Sequence, residues 1–331
     1  SDIGNYGAGI GGGDEGIGYV KIWGGTIYAS GGYKGSGIGG GCDAAGKVYI
    51  TGGIIETYGG TYGPGIGDAD DGTGGFVDIS GGTIKATGGY HDPGIGNYNG
   101  DRDSSVKITG GSIKATPGED KSEAIHPYPT NGSKEVYRTE LTIPNVVLGS
   151  EQHVISLAYT QNGSALSYGT NDIWTLDQGK VYAWLPAGNT NTAAATANDA
   201  PYGYTLNAIT DGGSNIFNYI EKSTPTASDF TFTIDGTSRC AGGATATTVY
   251  NGKAHPLTAT ANYDGIAISH VYYVGGGLET QTPTDVGFYD IYVTTTATTT
   301  YNPVTDLQIG KLIITKASDN TITPTNYEGT Y

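Results

Sequence analysis

Along the first third of the chain, apolar and polar residues alternate in short blocks that return at a fixed interval. Val20 and Ile22 alternate with Lys21 and Trp23, and Ile27 and Ala29 with Thr26 and Tyr28. This is the two-residue period of a strand whose side chains point to opposite faces. The block hydrophobic-x-Ile-x-Gly-Gly-x-Ile runs from Val20 to Ile27 and returns at Val48 to Ile55, Val77 to Ile84 and Val106 to Ile113. A second landmark, Gly-Ile-Gly, stands at Gly9–Gly11, Gly37–Gly39, Gly65–Gly67 and Gly94–Gly96, in steps of 28, 28 and 29 residues, with a degenerate fifth copy at Ala124-Ile125-His126.

A repeat of this length whose single copy cannot bury its own apolar face predicts a solenoid. Stacked at about 4.8 Å per coil, the copies put Ile10, Ile38, Ile66, Ile95 and Ile125 in one ladder. Three further ladders start at Val20, Ile22 and Ile27. The expected fold for residues 3–130 is a parallel β-helix of four to five coils, with the ladders inward. Gly24-Gly25 and its equivalents suit the corners between flat faces. Glycine is not at every third position, which excludes collagen. Strings such as Gly7-Ala8-Gly9-Ile10-Gly11-Gly12 resemble phosphate loops, but they repeat and no helix follows.

After the repeats the pattern becomes strands and hairpin turns. Glu135–Pro144, His153–Tyr159 and Lys180–Leu185 read as strands, with turns at Asn162-Gly163 and Asp177-Gln178-Gly179. Glu221–Asp229, rich in Thr and Ser, reads as a linker. Beyond it, Phe230–Ile234, Leu257–Tyr263, His270–Val274, Phe288–Val293 and Lys311–Thr315 are spaced for an Ig-like sandwich. The expected class is therefore all-β throughout. The expected domains are a Gly-rich parallel β-helix at 1–133, a small β meander or sandwich at 134–220, an Ig-like β-sandwich at 221–318, and the start of a further repeat at 319–331.

Composition supports this division, since 38 of the 58 glycines lie in residues 1–120. A formal charge of −16 disfavours nucleic acid and anionic lipid as partners. There is no apolar run long enough to span a bilayer, no signal peptide, no sorting tail and no Met. The chain is expected to be a fragment of a longer parent. Cys42 and Cys240 fall in different expected domains, so no framework disulfide is anticipated. The five histidines are scattered and show no zinc-ligand spacing.

Residues 225–317 resemble the bacterial Ig-like repeats called MBG domains. The resemblance rests on Tyr250-Asn251-Gly252-Lys253-Ala254-His255-Pro256-Leu257, Gly287-Phe288-Tyr289-Asp290-Ile291-Tyr292-Val293 and Leu312-Ile313-Ile314-Thr315-Lys316-Ala317. The Gly-Ile-Gly coils, with Tyr168–Asp172 and Trp184–Gly188, resemble parts of large surface proteins of gut-type anaerobic bacteria. These resemblances imply a secreted or bacterial cell-surface repeat protein with the Ig-like part as spacer. They bring no catalytic residues.

Candidate chemistry lies on the outward positions, because the inward ones are committed to packing. The outward columns are Lys21, Tyr49, Asp78, Lys107; Trp23, Thr51, Ser80, Thr109; and Tyr28, Glu56, Lys85, Lys114. Aromatic faces beside carboxylates suit sugar rings. Trp23, Tyr28, Tyr49, Glu56 and Asp78 are thus the candidate glycan-contact residues, and a glycan or another cell-surface molecule is the expected partner. Trp174, Tyr182 and Trp184 read as core of their own module, with a sugar platform as the alternative. Acidic loops after each Gly-Ile-Gly make Asp68, Asp70, Asp71, Asp101 and Asp103 candidate Ca²⁺ ligands, although neither an EF-hand nor a Ca²⁺-binding nonapeptide is present. The competing reading is a carbohydrate-active β-helix enzyme, a lyase or hydrolase with Glu56/Lys85 and Asp78 as acid and base. Long loops walling a cleft would favour it. Regular coils without such loops point instead to a non-enzymatic adhesin-type module.

Overall fold

The computed structural model describes residues 5–97, 103–120, 123–144, 152–169, 173–236 and 238–317. The expected further repeat at 319–331 and Asp101 lie outside them. Among the described residues the chain is all-β, its one helical element being the 3₁₀ turn Ala227–Asp229. It divides into two compact units, Ser1–Ile220 and Glu221–Tyr331.

The first unit opens with a β-solenoid of about four turns. One face is built from the two-residue strands Ile10–Gly11, Ile38–Gly39, Ile66–Gly67, Ile95–Gly96 and Ile125–His126, all parallel and in register. A second face stacks Gly18–Ile22 on Gly46–Ile50 and then on the first half of Phe76–Thr87. A third stacks Thr26–Ser30 on Ile54–Tyr58 and then on its second half. Phe76–Thr87 pairs along its length with Ser105–Thr116, so in these two coils one strand runs through the Gly-Gly corner. A register shift on either side of Gly110 pairs Ser80 with Gly110. The expected column of Ser80 over Thr109 is displaced there.

The isoleucines stack as the repeat predicts, except that Ile10 of the first coil, though in register with Ile38, is exposed. Ile38, Ile50, Ile66, Ile79, Ile84, Ile95, Ile108 and Ile113 have no solvent exposure and form one continuous core. Gly39 shows why the motif demands glycine. Its φ is +138°, and a Cβ there would lie 2.1 Å from the Gly67 carbonyl oxygen of the next coil, so a side chain would force backbone to shift. At the corner, Gly53 (φ +99°) and Gly82 (φ +88°) take backbone conformations that disfavour side chains.

The coils do not end abruptly at residue 133. Thr130–Asn131 pairs in parallel with the last long strand, Lys134–Thr142 pairs antiparallel with it, and Lys180–Pro186 pairs antiparallel with Lys134–Thr142. Lys134–Thr142 and Lys180–Pro186, expected in a separate module, thus extend the solenoid's sheet within the same compact unit. Lys180–Pro186 explains the join. Val181, Ala183 and Leu185 face a second core with Leu141, Leu157, Tyr168, Tyr204 and Phe217, whereas Trp184 joins the isoleucine core and is 8% exposed. A strand covered on both faces reads as a near-continuous apolar run. The Trp184 indole Nε1–H donates to the Ile113 carbonyl at 3.1 Å, and the Trp184 amide donates to the Tyr168 hydroxyl at 3.1 Å. The second core is closed by a six-stranded sheet containing Ser164–Tyr168, His153–Gln161, Thr190–Ala197, Ala200–Thr205, Asn218–Tyr219 and Ile173–Trp174.

The second unit holds two sheets around one core. Phe230–Ile234 lies between Ser238–Ala241 and Leu257–Ala261. The other sheet runs Thr245–Val249, Leu307–Thr315, Gly287–Thr296, Ala267–Gly275, Leu278–Thr280. Phe230, Phe232, Tyr273, Ile291, Val293, Ile309, Leu312 and Ile314 fill the space between them. The segment expected as a linker is bound into this fold: the Ser223 amide donates to the Thr300 carbonyl, and the Asn302 amide to the Ser223 carbonyl. Buried His255 closes the β-turn at Asp235-Gly236, its Nδ1 lying 2.8 Å from the Asp235 carboxylate.

Candidate functional site

The five sequence-nominated glycan residues fall in separate ladders on either side of the Gly-Gly corner. On the second face Lys21, Tyr49, Asp78 and Lys107 stand in one column. Lys107 Nζ lies 3.0 Å from Asp78. The Tyr49 ring packs between Tyr19 and Phe76 at centroid distances of 5.8 and 4.9 Å, and Lys21 lies over both tyrosine rings. Tyr49 is therefore largely occupied by its neighbours. Trp23 sits beyond the end of its strand and is 73% exposed.

On the third face Tyr28, Glu56, Lys85 and Lys114 form the column that chemistry gathers around. Lys85 Nζ donates to Glu56 at 2.8 Å and the Tyr58 hydroxyl donates to the same carboxylate at 2.5 Å. These bonds, that of Lys85 first, hold the Glu56 carboxyl below its ordinary value of 4.5, and Lys85 is raised in turn by Glu56.

Over this face folds a loop from later in the same unit. The Trp174 amide donates to Thr83 Oγ1 at 2.6 Å, and Lys114 Nζ reaches Asp177 at 2.5 Å. The Tyr182 hydroxyl also donates to Asp177, at 2.8 Å. Burial alone would raise the Asp177 carboxyl, but the bonds from Lys114 and Tyr182 outweigh it and hold the group below the usual carboxylate range. The result is a groove of about 220 Å³ lined by Tyr28, Glu56, Thr83 and Lys85 from the coils and Leu176 and Asp177 from the loop. Asp177 appears in sequence only as part of a turn. Its distance from the repeats hides its place on their face. Trp174, Tyr182 and Trp184 form no open platform: Tyr182 and Trp184 are buried, and Trp174 is held against Thr83.

Among the described residues, Asp68, Asp70, Asp71 and Asp103 are not gathered into one oxygen cluster of the kind Ca²⁺ takes, and Asp101 lies outside those residues. Asp68 is 2% exposed and turned inward. Its carboxylate accepts from the Gly46 and Gly75 amides at 2.6 and 3.0 Å, from Asn97 Nδ2 at 3.3 Å and from the Ser104 hydroxyl. It ties three coils together, in a slot that Gly12 and Gly40 occupy in earlier repeats and Asn97 in the next. Asp70 is engaged by Lys34 at 2.5 Å, while Asp71 and Asp103 are exposed. Among the described residues the one convergence of metal-ligating types is Cys42, Asp43 and Asp70, whose ligand atoms lie within 4.8 Å of one another. Burial, followed by the adjacent Asp43, pushes the Cys42 thiol up to about 11. It is a protonated thiol at neutral pH, neither nucleophile nor ready ligand. Neither Cys42 nor Cys240 is part of a disulfide among the described residues.

A family model described as a β-helix repeat matches residues 20–42 and 77–100. Those segments are two of the coils seen here, and the match agrees with the solenoid. No curated protein and no solved structure matches the chain. Among the described residues, no helix is long and apolar enough to cross a membrane.

Proposed function

We propose that this chain is a non-catalytic, extracellular surface module of adhesin type that contacts glycans through its solenoid, with an Ig-like second unit of MBG type as spacer. The observation that carries the reading is the groove over the third face. Tyr28 offers a broad aromatic surface, 74% exposed, on which a sugar ring can stack. Glu56, Lys85 and Asp177 supply charged acceptors and donors for its hydroxyls. The volume suits one or two sugar units rather than a folded partner.

The loop that walls this groove is the feature that would favour the rival enzyme, so the protonation states matter. A glycosidase needs one carboxyl raised enough to be a proton donor. Glu56 and Asp177 are both held down, each by a lysine. A lyase needs a base that is free of its proton near neutrality, and Lys85 is raised by Glu56. The groove offers fixed charges for binding and supports the non-catalytic reading.

A glycan array probed with the whole chain, with and without added Ca²⁺, identifies the ligand. Tyr28→Ala/Lys85→Ala should weaken binding of the best glycan tenfold or more, the equivalent of about 1.4 kcal/mol. An unchanged affinity would contradict the groove as the site. The pH dependence has a defined sign. Because Glu56 titrates below 4.5 in the fold, affinity should stay level from neutrality to about that pH and fall only below it.

A further inference from the structure

A second aromatic feature lies on a different edge of the solenoid, where the loops between Gly-Gly and Gly-Ile-Gly turn from the third face to the first. Each of the first four coils places a ring there. Tyr6 meets Tyr33 at 6.3 Å between centroids, Tyr33 meets Tyr62 at 5.2 Å, Tyr62 stacks on His91 at 5.7 Å, and Tyr90 packs edge-on against His91 at 4.5 Å. None of these rings belongs to the isoleucine core. Tyr33 and Tyr90 remain 45% and 47% exposed. At its far end the row opens into a shallow trough lined by Thr61, Thr87, Tyr90, Pro117 and Glu119.

The backbone beneath is hydrogen-bonded from coil to coil. Tyr33 N–H donates to the Asn5 carbonyl, Tyr62 N–H to Tyr33, Tyr90 N–H to Thr61 and Asp120 N–H to Tyr90, at 2.6 to 3.0 Å. The loops are therefore stacked coil on coil like the strands, and the rings are set in place before any ligand arrives, which lowers the entropic cost of binding.

We infer that this row is a binding track for an extended, uncharged β-linked polysaccharide lying parallel to the solenoid axis. Two coils rise about twice 4.8 Å, close to the two-sugar repeat of such a chain, so the exposed rings Tyr33 and Tyr90 can meet alternate sugars while Tyr62 packs edge-to-face against Tyr33 and stacks on His91. Asp70 and Asp120 are partnered by Lys34 and His91, which leaves Glu119 and the chain's formal charge of −16 to disfavour a polyanion. The row is one ring wide, too narrow for the roughly 800 Å² per partner that a stable protein interface buries. The inference rests on the glycan reading above but uses an edge separate from the groove, which would hold a short sugar unit while the track holds a chain.

Chain length separates the two sites. Calorimetry with β-1,4-linked glucose and xylose oligosaccharides should show, for at least one of them, the hexasaccharide binding the whole chain at least tenfold more tightly than the disaccharide. Tyr33→Ala/Tyr62→Ala should remove that advantage with the melting temperature retained, Tyr62→Phe should keep it, and Tyr28→Ala should leave it in place. Equal affinity for two and six sugars, or a double variant that binds the hexasaccharide as the wild type does, overturns the track. Loss of binding in Tyr28→Ala alone overturns the track and leaves the groove standing, whereas loss in the Tyr33/Tyr62 variant alone does the reverse. Should the double variant fail to fold, Tyr33→Ala and Tyr62→Phe decide the matter singly: the first must lose length dependence and the second keep it.

Discussion

Ile66→Asp should unfold the solenoid. Ile66 has no solvent exposure and is paired in register with Ile38 on one coil and Ile95 on the next. Its replacement removes roughly 1.5–3 kcal/mol of apolar burial and places a carboxylate where ladder neighbours offer only methyl and methylene groups. An unpartnered buried polar group adds several kcal/mol more at order of magnitude. The sum is comparable to the roughly 5–15 kcal/mol that holds a typical domain together. Because coils are stabilised through their neighbours, the damage should spread along the stack. Circular dichroism of the variant should show loss of a large part of the chain's sheet signal. Trp23→Ala, at an exposed site, should melt within about 0.5 kcal/mol of wild type. An unchanged melting temperature for Ile66→Asp would contradict the inward ladder.

Trp184→Ala should be the second most damaging change, and for a reason outside the repeat. A solenoid's last coil leaves its core and its strand edges open unless something covers them. Here Val136 and Trp184 enter the isoleucine core from the strands that follow the coils. Emptying a buried tryptophan site costs roughly 3–5 kcal/mol, and here it also removes the indole bond to Ile113. The expected result is a lower melting temperature together with faster proteolysis near residues 105–116, the strand the indole covers. Trp184→Phe should recover most of the loss, since it restores apolar volume and forfeits one hydrogen bond of about 1 kcal/mol. If Trp184→Ala melts as wild type does, the later strands are not a cap.

The coils were legible in the sequence because their evidence is redundant. Four copies of the Gly-Gly and Gly-Ile-Gly landmarks state the same inward positions, and the pairing of Val20, Val48, Val77 and Val106 follows from the period alone. The cap was not legible, because Trp184 touches Ile113 across 71 residues of non-repeating chain. The near-continuous apolar run of Lys180–Pro186 says only that the strand is covered on both faces. Asp177 was hidden for the same reason. Asp68 misled in a different way: an acidic residue after a Gly-Ile-Gly reads as a surface ligand, although Gly12, Gly40 and Asn97 at equivalent positions mark an inward slot that admits only small or internally bonded side chains. The ring row was visible in principle, since each loop carries an aromatic residue. The position shifts by one between Tyr6, Tyr33 and Tyr62 relative to the following Ile, and a strict column search passes over it.

The central claim, that glycan contact belongs to the solenoid unit, is tested most directly by hydrogen–deuterium exchange of the whole chain with and without the best glycan from the array. Slower exchange in Ile54–Tyr58, in residues 83–87 and in residues 174–179, with residues 230–315 unchanged, is the predicted result. Protection confined to the second unit would contradict it, as would bound glycan with no change in exchange anywhere in the described coils.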